Sequence, residues 1–198
     1  MSRRVTGLLG LAATLLFAAA LVFFAAAHPG YEHGTKAVSE LGATGAPNAL
    51  AWNLIGFLLP GVLLALFGLG LGATVQDRRT GLYLTLSGIA FAATAVPADM
   101  ESLQSPLSLA HIVASLMVFL FWLPASLRLL KQPAPELRRI TIFFLLFAVA
   151  AAAIRFTPLL LPGWGQRLSF LAYFGWIGTV SLLLVVSKTT LLETRDVR

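Results

Sequence analysis

The chain has 198 residues, of which 58% are hydrophobic and 11% charged, and its formal net charge is +6. Soluble domains carry about 25% charged residues, and a chain this short cannot cover its surface with so few. An ordinary soluble domain, a disordered chain and a coiled coil are excluded, and with no Cys present so are disulfides, thiolate nucleophiles and Cys-type zinc sites.

The basic residues do not cluster; they punctuate apolar runs, which is the pattern of membrane topology and not of nucleic-acid binding. A helix needs about 20 apolar residues to cross the hydrocarbon. Six runs qualify, at about 5–27, 50–73, 80–98, 107–130, 140–161 and 168–187. The expected fold is therefore all-α, a polytopic membrane protein with a six-transmembrane-helix bundle forming one domain over 1–198.

The first run carries no charge. Its Arg3-Arg4 flank and Ala25-Ala26-Ala27 end imitate a signal peptide, but a signal core spans only about 7–15 residues. The run is longer and reads as a span. The connection 28–49 follows, rich in Gly and Pro, with Thr35 to Leu41 expected as a short helix stopped by Gly42. A structured loop of this length is more often functional than incidental.

In the second run, Pro60 should kink the helix and free a carbonyl. Gly68 and Gly72 form a GxxxG pair suited to close helix packing, expected within the bundle in preference to a dimer interface. Pro133 and Pro135 mark a turn between the fourth and fifth runs.

Lys and Arg set the expected orientation. One side holds Arg3, Arg4, Arg78, Arg79, Arg128, Lys131, Arg138, Arg139, Lys188, Arg195 and Arg198; the other holds Lys36, Arg155 and Arg167. Eleven against three puts both termini in the cytoplasm (N-in/C-in) of a multi-pass protein in the cell membrane.

Polar residues gather at the opposite, outer ends of the spans. Ser108, His111 and Ser115 share one helical stripe; Ser169, Tyr173 and Trp176 share another; Asn53, Gly56 and Pro60 a third. Polar stripes facing lipid are costly, so these should face one another. Arg155 stands out, because a charge at depth costs at least about 2–3 kcal/mol unless it is paired or wetted. Its expected partners are Glu32, Glu40, Asp99 and Glu101. The candidate ligand-binding residues are Arg155, Asp99, His111, Glu40, His33, Asn53, Arg167 and Tyr31.

Tyr31-Glu32-His33 and the segment Ser39-Glu40-Leu41-Gly42-Ala43-Thr44-Gly45-Ala46-Pro47-Asn48 resemble the first outer loop of the domain-of-unknown-function family 998 (DUF998), small integral membrane proteins of the six-span type. Val96-Pro97-Ala98-Asp99, His111 and Gly163-Trp164-Gly165-Gln166-Arg167 agree with it in order, so the resemblance runs from Tyr31 to Trp176. It implies the fold, and it is what brings in Tyr31 and Asn48. Relatives often carry Phe-Pro-Cys-Asp with a further Cys nearby; this chain has no Cys, so an outer disulfide has no place here.

These patterns favour a polar pocket at the extracytoplasmic face, binding a lipid headgroup or a small polar or anionic ligand through Arg-phosphate or Arg-carboxylate pairing. The alternative is a membrane-embedded lipid hydrolase or transferase. His28, His33 and His111 would hold a divalent metal such as zinc, or Ser39 or Ser108 would act with His111 as base. Haem is disfavoured, because only His111 lies clearly inside a span. Proton-coupled transport lacks matching acids in the inner halves. The partners are the bilayer and one such ligand, and no pattern dictates an oligomeric state.

Overall fold

Backbone groups in hydrocarbon find no water to bond, so apolar runs of this length satisfy themselves as helices. The computed structural model describes residues 1–155, 157 and 161–186, with the backbone alone at Arg155 and Pro162. Among these residues the chain forms α1 (Arg3–Ala26), α2 (Ala49–Thr74), α3 (Arg78–Ala93), α4 (Pro106–Leu129), α5 (Pro135–Arg155) and α6 (Pro162–Val186). Five of them, all but α3, are long and apolar enough to cross a membrane. The result is a polytopic helical bundle without strands among the described residues.

Local chemistry sets the helix ends. The Ser2 hydroxyl accepts the Val5 N–H at 3.3 Å to start α1, and the Ser105 hydroxyl accepts the Ser108 N–H at 3.2 Å to start α4. Pro135 and Pro162 open α5 and α6, where a missing N–H does no harm. Gly163 to Arg167 therefore form the first turns of α6 instead of a loop before residue 168. Helix α3 has 16 residues, about 24 Å. It stops at Ala93, short of residue 98, because Pro97 forbids a helical continuation. The residues 156 and 158–160 of the expected fifth run, Ser187 of the sixth, and Lys188, Arg195 and Arg198 lie outside the described residues.

Helix α1 packs on α2 and α6, α2 on α3, α3 on α4, and α5 on α6, whereas α4 and α5 barely meet. The α2–α3 contact is the tightest. A Cβ on Gly68 would lie 2.5 Å from the Thr85 nitrogen, and one on Gly72 would collide with the backbone of Gly81. The GxxxG pair is thus consumed inside the bundle. Pro60 cannot donate to Gly56, and the helix absorbs the loss by widening into a π segment over Asn53–Leu58, where the Leu59 N–H reaches the Leu54 carbonyl.

Stacked and edge-on rings fill the centre. Phe17 stacks on Phe174 at 4.3 Å and meets Phe91 edge-on at 5.6 Å, linking α1, α3 and α6. The buried Ser87 hydroxyl joins Tyr173 Oη at 2.9 Å and donates to the Val118 carbonyl at 2.8 Å, which binds α3, α4 and α6 together.

At the end with the N-terminus, Asp77 both caps α3 and ties it to α4. Its carboxylate accepts from the Arg79 and Thr80 N–H groups at 3.0 and 3.3 Å and from the Thr80 hydroxyl at 2.8 Å. Arg128 forks onto both oxygens at 2.8 and 3.0 Å. Burial alone would raise this carboxyl's pKa, but Arg128 and Thr80 overcome it and hold the group down at about 2. The stabilisation is full above the ordinary value of 3.8 and disappears as pH falls towards about 2.

Two outcomes follow for thermal unfolding of the purified protein. Asp77→Ala should lose about 1 kcal/mol from the cap alone at neutral pH, with the gap to the wild type closing between pH 4 and 2. Gly72→Leu should destabilise by about 1–3 kcal/mol through forced separation of α2 and α3; an unchanged midpoint would show that the two helices do not touch there.

Candidate functional site

The connection between α1 and α2 folds back over one end of the bundle. Val38–Gly42 form a short 3₁₀ turn, tighter than the helix expected over Thr35 to Leu41, with Val38 and Leu41 buried beneath it. Three hydrogen bonds to side chains anchor it. The Glu40 carboxylate accepts the Ala37 N–H at 2.7 Å, the Gln166 Oε1 accepts the Val38 N–H at 2.6 Å, and the Asn53 amide donates to the Gly42 carbonyl at 2.9 Å. A Cβ on Gly42 would strike the Asn53 side chain, so the turn sits directly on α2.

Arg167, in the second turn of α6, clamps this loop. Its Nη1 donates to the Lys36 and Gly163 carbonyls at 2.9 Å each, its Nη2 to Tyr31 Oη at 2.7 Å, and its Nε to His33 Nδ1 at 3.2 Å. The guanidinium carbon also lies 5.7 Å from the centre of the Tyr31 ring. Burial raises the Tyr31 pKa, with Arg167 opposing. Burial, then repulsion from Arg167, lowers the His33 pKa. Because Nδ1 accepts from Arg167, the proton of neutral His33 must sit on Nε2.

Beneath the loop lies a cavity of about 550 Å³. Phe57, Phe91, Phe119, Phe170 and Leu116 provide much of its wall, and Ala148 and Ala152 of α5 close the side next to α4. Its polar lining comprises Ser39, Thr94, His111, Ser115, Gln166, Ser169 and Tyr173. Several of these are already committed: Thr94 donates to the Phe91 carbonyl, Ser115 to that of His111 and Ser169 to that of Gly165. The His111 Nδ1 lies 2.9 Å from the Val96 carbonyl. A carbonyl only accepts, so Nδ1 carries the proton and Nε2 of the neutral ring is left as an acceptor.

The sequence-derived candidates divide into three places. His111 lines the cavity, and Ser39 joins it there. Arg167, Tyr31 and His33 meet in the clamp above. Asn53, Glu40 and Asp99 hold backbone: Asp99 Oδ1 accepts from the Glu101 and Ser102 N–H groups, and its own backbone is bonded twice to the Ser108 hydroxyl. Asn48 adopts a left-handed conformation (φ 60°) just before α2. The backbone of Arg155 closes α5 three residues beyond Ala152; the side chain, and with it the expected carboxylate pairing, lies outside the described residues.

For a metal, His28 and His33 flank the Tyr31 ring at 5.6 and 5.5 Å, while His111 sits against Phe57 in the cavity. No group of three or more His, Asp or Glu fit to hold an ion occurs among the described residues. Of the two serines paired with His111 in the metal-free alternative, Ser108 is engaged with Asp99 and Ser39 is not. Gln166 was missed as a site residue; its signal was a lone amide at the head of an apolar run.

A family model described as Protein of unknown function (DUF998) matches residues 11–183. No curated protein and no solved structure matches the chain. The loop, the α3–α4 connection and the head of α6 that form this site all fall within the matched range, and the chain belongs to the DUF998 family.

Proposed function

We propose that this protein binds an amphiphilic ligand from the membrane, a lipid headgroup with its chain or a smaller polar molecule, in the cavity under the loop. The carrying observation is the division of that cavity: aromatic and aliphatic walls, with Ser39, His111 and Gln166 among its polar groups. Its volume of about 550 Å³ lies within the range of about 300–1,000 Å³ found for small-ligand sites. The loose α4–α5 seam supports sideways access, since Ala148 and Ala152 place only methyl groups there. Arg155 enters the reading through its place in the sequence, one turn beyond Ala152, as a guanidinium donor to the oxygens of the head.

The same reading has the chain crossing the cell membrane repeatedly with both termini in the cytoplasm, so that the cavity opens towards the outer leaflet. Basic residues support this, because Arg78, Arg79, Arg128, Lys131, Arg138 and Arg139 lie between or at the helix ends remote from the cavity. A lipid hydrolase or transferase is the second reading, favoured by the shared position of Ser39 and His111 on the cavity wall.

Mass spectrometry of lipid retained by the purified chain tests binding. Ala152→Phe should fill the seam and reduce retained amphiphile at least about tenfold with little change in thermal midpoint; undiminished retention rejects the cavity as the site. Orientation is read in the naturally Cys-free chain. Thr35→Cys should react with an impermeant maleimide in intact cells and Lys131→Cys only after lysis, and the reverse pattern would invert the topology.

A further inference from the structure

We infer that the ligand of this cavity is a single-chain amphiphile with an uncharged, hydroxyl-bearing ester head, of the monoacylglycerol class. The inference rests on the binding role proposed above and specifies its chemistry. Three polar groups of the lining each keep one donor or acceptor atom wholly unengaged among the described residues. The Ser39 hydroxyl has no partner, the Gln166 amide uses Oε1 for the Val38 N–H and leaves its NH₂ free, and His111 leaves Nε2 free. Their roles differ. Gln166 can only donate there, His111 in its neutral form can only accept, and Ser39 can do either.

The complement of that set is a head with a carbonyl or ether oxygen for Gln166 and an O–H for His111. A hydroxylated ester has both. An ionised phosphate or carboxylate has acceptors alone, and the neutral His111 ring offers it no donor at Nε2. The described lining contains no Lys, Arg, Asp or Glu, so an ion drawn into it would find no counter-charge among those residues. One acyl chain with its head suits a cavity of about 550 Å³, whose neighbouring cluster of Phe17, Phe91 and Phe174 is packed ring against ring.

Binding of tritiated monooleoylglycerol to the full chain in detergent, followed by scintillation proximity, tests this. Unlabelled monooleoylglycerol should compete at least tenfold better than oleate or the matching lysophosphatidylglycerol. Ser39→Ala removes a hydroxyl with no internal partner, so the thermal midpoint should hold while affinity falls several-fold. Gln166→Glu keeps the acceptor for the Val38 N–H and removes the free donor, and should weaken binding at least tenfold. If the anionic amphiphiles compete equally or better, or if monooleoylglycerol binds and neither variant weakens it, the inference is overturned and the binding role stands. If none of the three amphiphiles binds, the binding role itself is overturned.

Discussion

The architecture of the loop end depends on how Arg167 is satisfied. A guanidinium beside apolar helices is expensive unless its donors are used, and here the fork makes four hydrogen bonds, three of them to Tyr31, His33 and Lys36 of the loop. The same contacts draw the loop across the bundle. Its 3₁₀ turn is then stitched to α6 by Gln166 and to α2 by Asn53. One cation thus converts a Gly- and Pro-rich connection into the roof of a cavity, and the roof brings Ser39 over it.

The walls follow from uneven packing. Glycines let α2 and α3 approach until their backbones meet, and the Tyr173–Ser87–Val118 bonds lock α6 against α3 and α4. Helix α5 is held mainly by α6, with Trp176 Nε1 donating to the Thr141 hydroxyl at 3.1 Å and Gly175 lying against Phe144. Beyond that point α5 carries alanines, so the seam with α4 stays thin beside the cavity. The cavity is therefore bounded by tight packing on one side and a thin seam on the other.

Several site residues were legible because helical periodicity is local. Ser108, His111 and Ser115 lie on one side of α4, and His111 and Ser115 do reach the cavity. Ser108, one turn earlier, is claimed instead by the backbone of Asp99. The acids show the limit of residue chemistry read alone. Asp99 and Glu40 match ligands by residue type, yet each sits beside turn N–H donors and accepts from them: one part-buried at Ala37 for Glu40, two exposed at Glu101 and Ser102 for Asp99. The place of Gln166 on the cavity is not encoded locally, because it depends on Val38, distant in the chain, whose N–H occupies one end of the amide and leaves the other open.

The sequence by itself determined that the chain is a helical membrane bundle, where its apolar runs lie and which ends collect polar groups. Composition, run length and the period of a helix are enough for that, since hydrocarbon leaves a backbone no other way to bond. Only the tertiary structure decided which polar groups are spent on holding the fold and which keep an unengaged atom at the cavity. A hydrogen bond between residues far apart in the chain depends on where each helix lands against its neighbours, and no local pattern encodes that distance.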